Sequence, residues 1–225
     1  MAAAFQDEDE RSEASTDEAQ GGGATHEGLD FLTLAERAQT ALSAGKFDEA
    51  REAFLGIHDV LTEGQNYQRA VALERAGFCL LMEGRPLDAA VLLQKSTGIA
   101  DGLEPSEGVR ALQGVIQSEL GQVFSSTGYV GQAKEAFEAA IEIARGLGDK
   151  RALAIDLDHL GILELRQGRS DVARAHFEEA LAHFNALSLV GAQAAVLYHL
   201  GLVAESVAEW DGAEQNFAKA PEILV

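Results

Sequence analysis

Five positions in this chain recur at an interval of 40 residues, and that periodicity restricts the possible folds more than any other feature. Leu120, Leu160 and Leu200 fall in register, and each is followed by a glycine: Gly121, Gly161 and Gly201. Further along each unit stand Ala133, Ala173 and Ala213, then Phe137, Phe177 and Phe217, then Ala140, Ala180 and Ala220. A fixed period of this length is the signature of a repeat architecture, in which each unit buries its apolar face only by stacking on its neighbours.

Each unit has the pattern of a helical hairpin. Leu153, Leu157, Leu160 and Leu163 lie at helical spacing on one face of a first helix. Gly128 and Gly168 stand where that helix should end, since glycine accepts the left-handed conformation of a helix cap. An aspartate (Asp48, Asp171 or Asp211) is expected to open the second helix, accepting from its free N–H groups and meeting the helix dipole. That second helix presents Ala173, Phe177, Ala180, Leu181 and Phe184 on one face. Gly161 and Ala173 should lie where the two helices cross, and Phe177 should fill the gap between one hairpin and the next. With only three prolines, the chain is expected to be all-α.

The register extends backward. Gly77, Gly84, Ala89 and Leu93 place a second unit, and Gly45, Asp48, Ala50 and Phe54 a first. The step from Gly77 to Gly121 is 44 residues, so residues 101–108, which have no apolar periodicity, are expected to form a longer loop. Five stacked hairpins follow, an α-α superhelix with units at about 30–69, 70–109, 110–149, 150–189 and 190–220. Ahead of them, residues 1–29 carry Asp7, Glu8, Asp9, Glu10, Glu13, Asp17, Glu18 and Glu27 against one base, Arg11. Such a segment cannot bury enough apolar surface to offset its ordering entropy and reads as a disordered acidic tail.

The charge narrows the partners. A formal net charge of −20 repels phosphate backbones and anionic lipid, which speaks against nucleic acid and membrane surfaces and for basic or apolar protein segments. The N-terminus lacks the basic flank and apolar run of a secretory signal, and no stretch is apolar enough to span a bilayer, so a cytoplasmic address is expected. Cys79 sits in an apolar run and reads as a buried core thiol. His159 and His199 occupy the same position in adjacent units, and His176 and His183 share a helix face. Neither pair has the third ligand a metal site needs. Pairs such as Glu178–Glu179 or Asp156 and Asp158 read as solvated acidic faces. Gly21, Gly22 and Gly23 lack the lysine of a phosphate loop. Neither cofactor nor catalytic site is expected.

The order of Leu-Gly, a second glycine, alanine, phenylalanine and alanine resembles the tetratricopeptide repeat, in the 40-residue, long-helix variety of kinesin light chains and polarity adaptors. The resemblance covers residues 30–220, with Gln117, Ala38 and Ala76 departing from the pattern. It implies that the first helices line a concave groove. Carried onto this sequence, the groove positions are Leu32, Ala35, Gln39 and Leu42; Val71, Glu74, Phe78 and Leu81; Val115, Ser118, Gln122 and Ser125; Ile155, Asp158, Ile162 and Leu165; and Ala195, Tyr198, Leu202 and Glu205. These lack the lysines and asparagines with which family members clamp a carboxylate tail, and the asparagine ladder that grips a peptide backbone.

Apolar residues with scattered acids suit an amphipathic or apolar segment with basic flanks, so the chain is expected to be a non-catalytic scaffold or adaptor for a protein or peptide segment. Two alternatives remain. Small acidic members of the family act as secretion chaperones for apolar clients. The apolar end at Ile223, Leu224 and Val225, beyond Pro221, lacks a polar cap, which points to a homo-oligomer through that end or to a fragment of a longer protein.

Overall fold

The computed structural model describes residues 26–222, with side chains placed from residue 30 to residue 220. Most of the acidic tail and the last three residues lie outside the described residues. Among the described residues, ten α-helices form five hairpins. The first is α1 (His26–Ser43) with α2 (Phe47–Val60), and the second α3 (Asn66–Met82) with α4 (Pro86–Ala100). The third is α5 (Glu107–Thr127) with α6 (Val130–Leu147), the fourth α7 (Lys150–Arg166) with α8 (Ser170–Ala186), and the fifth α9 (Val190–Ser206) with α10 (Trp210–Glu222). Every helix packs on the one before and the one after it. The first helices α3, α5, α7 and α9 also touch in succession, while each second helix meets the next hairpin through that hairpin's first helix. The first helices therefore form the inner layer of an α-helical solenoid, and the second helices the outer one.

The units begin where local caps dictate. A short 3-10 turn, Glu63–Gln65, carries a capping box between Thr62 and Gln65 and starts α3 at Asn66, before the position 70 expected from the repeat register. The Ser106 side chain accepts from the Val109 N–H at 3.1 Å and starts α5 at Glu107. The four extra residues of that unit are thus shared between a loop at 101–106 and a lengthened α5; residues 107 and 108 are helical. Residues 26–29, at the end of the acidic segment, lie within α1. Asp149 caps α7, accepting from Arg151 and Ala152 N–H groups.

Asp48 and Asp171 do not cap. They stand inside the first turn of α2 and α8, whose N-cap residues, Lys46 and Arg169, make no side-chain cap bond. The reason is the shortness of the turn within each hairpin. One left-handed residue closes it, and the next residue bonds back across six: Tyr129 N–H to Phe124 O at 2.9 Å, and Arg169 N–H to Glu164 O at 3.0 Å. The N-cap position is consumed by the turn, so the aspartates, Asp211 of α10 included, act only through the helix dipole.

Gly128 and Gly168 hold the left-handed position at φ 86° and 73°. In hairpin five the same position is Ala208, at φ 61°, with Glu209 N–H bonded to Ala204 O at 2.9 Å. A side chain there clashes with its own backbone. Ala208→Gly is expected to stabilise the fold by about 1 kcal/mol, read as a higher midpoint in thermal or denaturant unfolding.

The packing inside a hairpin rests on the repeated glycine and phenylalanine. A Cβ on Gly121, Gly161 or Gly201 would stand 2.5, 2.6 or 2.4 Å from the ring of Phe137, Phe177 or Phe217. Each ring therefore lies flat on bare backbone of its own first helix. Phe137 and Phe177 then reach the next hairpin, where they meet the rings of His159 and His199 at 5.5 and 5.2 Å. Ala133 and Ala173 are fully buried beside these contacts, and Ala213 is nearly so. Hairpin two uses Gly77 against Leu93 instead, with contacts at 3.0 Å, and hairpin one has Ala38 and Phe54, both buried. Cys79 is wholly buried, and burial pushes its thiol up to about 12.

Gly161→Ala is expected to destabilise the chain by about 1–3 kcal/mol, because the Phe177 ring has no free side to retreat to. Gly98→Ala is the matched control: its Cβ enters open space in α4, and a gain of about 0.5–1 kcal/mol is expected. Equal effects at both sites in denaturant melts would contradict this account.

Candidate protein-binding groove

The inner layer places the groove positions unevenly. On α7 and α9, Ile162, Leu165 and Leu202 are half-buried, while Tyr198 is 51% exposed and Glu205 is exposed. Ile155 and Ala195 are exposed as well. On α5, Gln122, Val115, Ser118 and Ser125 are half-buried. Leu32 and Gln39 of α1 are exposed, with Ala35 and Leu42 half-buried. On α3, Phe78 and Leu81 are half-buried, and Phe78 meets Phe47 edge-on at 6.4 Å.

Two assignments made from the sequence are corrected. Val71 and Glu74 belong to the interior, at 7% and 1% exposure. The cause is the position of α3, which packs against α2, α4 and α5 and buries residues from Ala70 to Leu80 on most of its circumference. Glu74 is therefore hidden from a partner. Asp156, read from the sequence as part of a solvated acidic face, is also buried, at 3% exposure.

Acids beneath the groove dominate its electrostatics. Glu74 and Glu119, on α3 and α5, hydrogen-bond each other with almost no exposure. Burial, then the neighbouring charge of Glu74, pushes Glu119 well above the usual carboxylate range. Glu74 is also raised by burial, against the pull of Arg75, whose Nε lies 3.3 Å away. Burial pushes Asp156 up to about 7, opposed by a hydrogen bond with Ser118 and assisted by Asp149.

Glu164 behaves in the opposite way. Burial pushes it up, but hydrogen bonds from Arg169 and Lys134 more than offset that and hold it below its ordinary value. Asp158 pairs with His199 Nδ1 at 2.7 Å. His159 lacks such a pairing at Nδ1, and burial lowers its pKa.

These shifts fix a direction for pH dependence. Glu119, Glu74 and Asp156 bind their protons more tightly in the folded chain than in the unfolded one. The stability they contribute is full below the unfolded carboxylate range and is lost as pH rises through the folded value, about 7 for Asp156. Glu164 contributes in the other sense but titrates below its usual range, outside that window. His159 and His176, both lowered by burial, cost stability as pH falls through the ordinary histidine value of 6.5 and oppose the carboxyl groups there. The unfolding midpoint should therefore rise as pH is lowered from about 8 to about 7. Asp156→Asn should flatten that rise and add about 1–3 kcal/mol at the alkaline end, because an amide avoids burying an unpaired charge.

Sequence reasoning missed two features. One is a set of ion pairs between hairpins. The base after the repeated alanine reaches an acid of the next unit: Arg51 to Glu83 at 3.1 Å, Lys134 to Glu164 at 3.1 Å, and Arg174 to Glu209 at 2.7 Å. The register of the bases was visible in hairpins one, three and four, with Ala90 and Glu214 in its place in hairpins two and five. The acids occupy different repeat positions, so the pairing was not. The other is a cavity of about 210 Å³ bounded by α5, α6 and α7, with Phe78 of α3 on its wall.

With this geometry in place, likeness to known proteins is informative. Residues 112–186, spanning hairpins three and four, match the sequence model of the tetratricopeptide repeat. The fold is similar to BtubC (BKLC) from P. vanneervenii, with a TM-score of 0.64, 15% identity, and 88% of this chain and 91% of that chain covered. It is also similar to a Podosopora anserina putative kinesin light chain with nearly identical TPR-like repeats, with a TM-score of 0.66, 16% identity, and 89% and 97% covered. Aspartyl phosphate phosphatase F from Bacillus subtilis aligns with a TM-score of 0.73 at 13% identity, over 87% of this chain and 50% of that one. At these identities the likeness is one of fold. Solenoids of this type present extended concave surfaces to protein partners. Residues 112–186 thus match the tetratricopeptide repeat, and the 40-residue register and the five hairpins carry the same architecture through the described residues.

Proposed function

We propose that this protein is a non-catalytic scaffold whose inner groove holds an apolar or amphipathic protein segment with basic flanks. The observation that carries this reading is the character of the inner surface on α7 and α9. The exposed apolar side chains of Tyr198 and Ile155, with the half-buried Ile162, Leu165 and Leu202, stand among the acids Asp158 and Glu205. Apolar anchors flanked by negative charge fit a segment that buries apolar residues and presents lysine or arginine at its edges. Family folds are shared by many functions, so the argument rests on these residues and not on the fold.

The test is selection of peptides from a random display library against the full chain. Enriched peptides should combine an apolar core with basic flanks. Their binding should weaken about tenfold or more with Tyr198→Ala combined with Leu202→Ala, and should fall with added salt. Peptides without basic flanks, or binding indifferent to those substitutions, would defeat the reading. Light scattering on the same preparations addresses self-assembly, which the 64% exposure of Trp210 beside the exposed Val207 favours. A mass that doubles with concentration would move the interpretation there.

A further inference from the structure

The cavity between α5, α6 and α7 is chemically lopsided. Its walls are apolar, with Phe78, Val115, Ile143, Leu147 and Ile155 prominent. Three carboxyl side chains also line it, Glu119, Asp149 and Asp156, and none of its lining residues is lysine, arginine or histidine. Asp149 is engaged in capping α7. The other two are 4% and 3% exposed, and each leaves one oxygen without a hydrogen-bond partner: Glu119 Oε2 and Asp156 Oδ1.

Buried carboxyl oxygens are ordinarily satisfied, because a bare one has lost its hydration with no hydrogen bond in return. Here no neighbouring donor reaches these two oxygens, although both side chains border an unfilled cavity. Ala144 and Ala152 are small and leave space that larger side chains would fill, and exposed Ala111 and Ile155 stand at the rim. An unfilled apolar space ending in unpaired acid accepts a cation carried on an apolar stem.

We infer that this cavity is a socket for a lysine side chain of the segment held in the groove, its methylene stem against the apolar walls and its ammonium donating to Glu119 Oε2 and Asp156 Oδ1. Lysine suits the site better than arginine. The ammonium is compact and can donate to separate acceptors, whereas a guanidinium favours the two oxygens of one carboxylate side by side. The inference rests on the groove reading and makes it specific: one lysine of the partner segment is anchored at hairpins three and four.

The test uses the full chain and N-acetyl-lysine methylamide as probe, followed by amide chemical shifts. Saturable shifts are expected at Ala111, Ser118, Asp149 and Ile155. N-acetyl-norleucine methylamide, which keeps the stem and lacks the amine, should bind about tenfold or more weakly. Asp156→Asn should weaken the lysine probe by a similar factor while melting no lower than the parent chain, so that the loss is not one of folding. Ala111→Phe should block the mouth. Equal binding of the two probes, shifts mapping elsewhere, or unchanged affinity in Asp156→Asn would overturn the socket. The two readings fail separately. Display-selected peptides that keep their affinity when every lysine becomes norleucine would remove the socket and leave the groove standing. A lysine probe that binds through Asp156, with no peptide selected, would do the reverse.

Discussion

The fold depends on how closely two helices of one hairpin can approach, and in hairpins three to five that distance is set by a phenylalanine ring packed on a glycine. With a ring atom only 2.4–2.6 Å from where a Cβ would stand, no other residue fits at Gly121, Gly161 or Gly201 without moving a helix. The contact does more than close a hairpin. The same rings of Phe137 and Phe177 continue to the histidines of the next unit, so intra-hairpin spacing and inter-hairpin stacking are fixed by one side chain. The orientation of successive first helices, and with it the shape of the groove, follows from these rings.

Against that apolar regularity stands an acidic interior. A chain of net charge −20 would be expected to hold its carboxylates in solvent, yet Glu74, Glu119, Asp156 and Glu164 are all buried. The four are accommodated by three physical devices. Glu164 is paired with two bases. Glu74 and Glu119 hydrogen-bond each other, with Arg75 close by. Asp156 leans on the Ser118 hydroxyl and a raised affinity for its own proton. The first is a stabilising pair, and the other two are tolerated with a raised affinity for the proton.

Much of the fold was legible because it repeats. A period kept at leucine, glycine, alanine and phenylalanine specifies helix pairs and their contact without reference to tertiary structure, and the left-handed glycines at Gly128 and Gly168 announce the turns. The aspartates misled, since Asp48 and Asp171 look like caps, but the one-residue turn leaves no cap position for them. The site was less legible. Whether Glu74 faces a partner or the interior depends on how deeply α3 is enclosed by α2, α4 and α5, which periodicity cannot report. The cavity depends on small residues from different helices converging, Ala144 and Ala152 among them, and small residues carry no signal of their own in sequence.

The main contacts of each helix reach no further than the adjoining helix and the neighbouring hairpin's first helix. In such a line of parts, strain or loss at one place is felt by its neighbours and fades beyond them. A left-handed alanine in hairpin five is thus a local fault that hairpin one never senses. The same insulation governs anything laid along the inner surface. Its residues would be weighed one hairpin at a time, as words are read along a line, and a poor match at one place would leave the reading elsewhere intact.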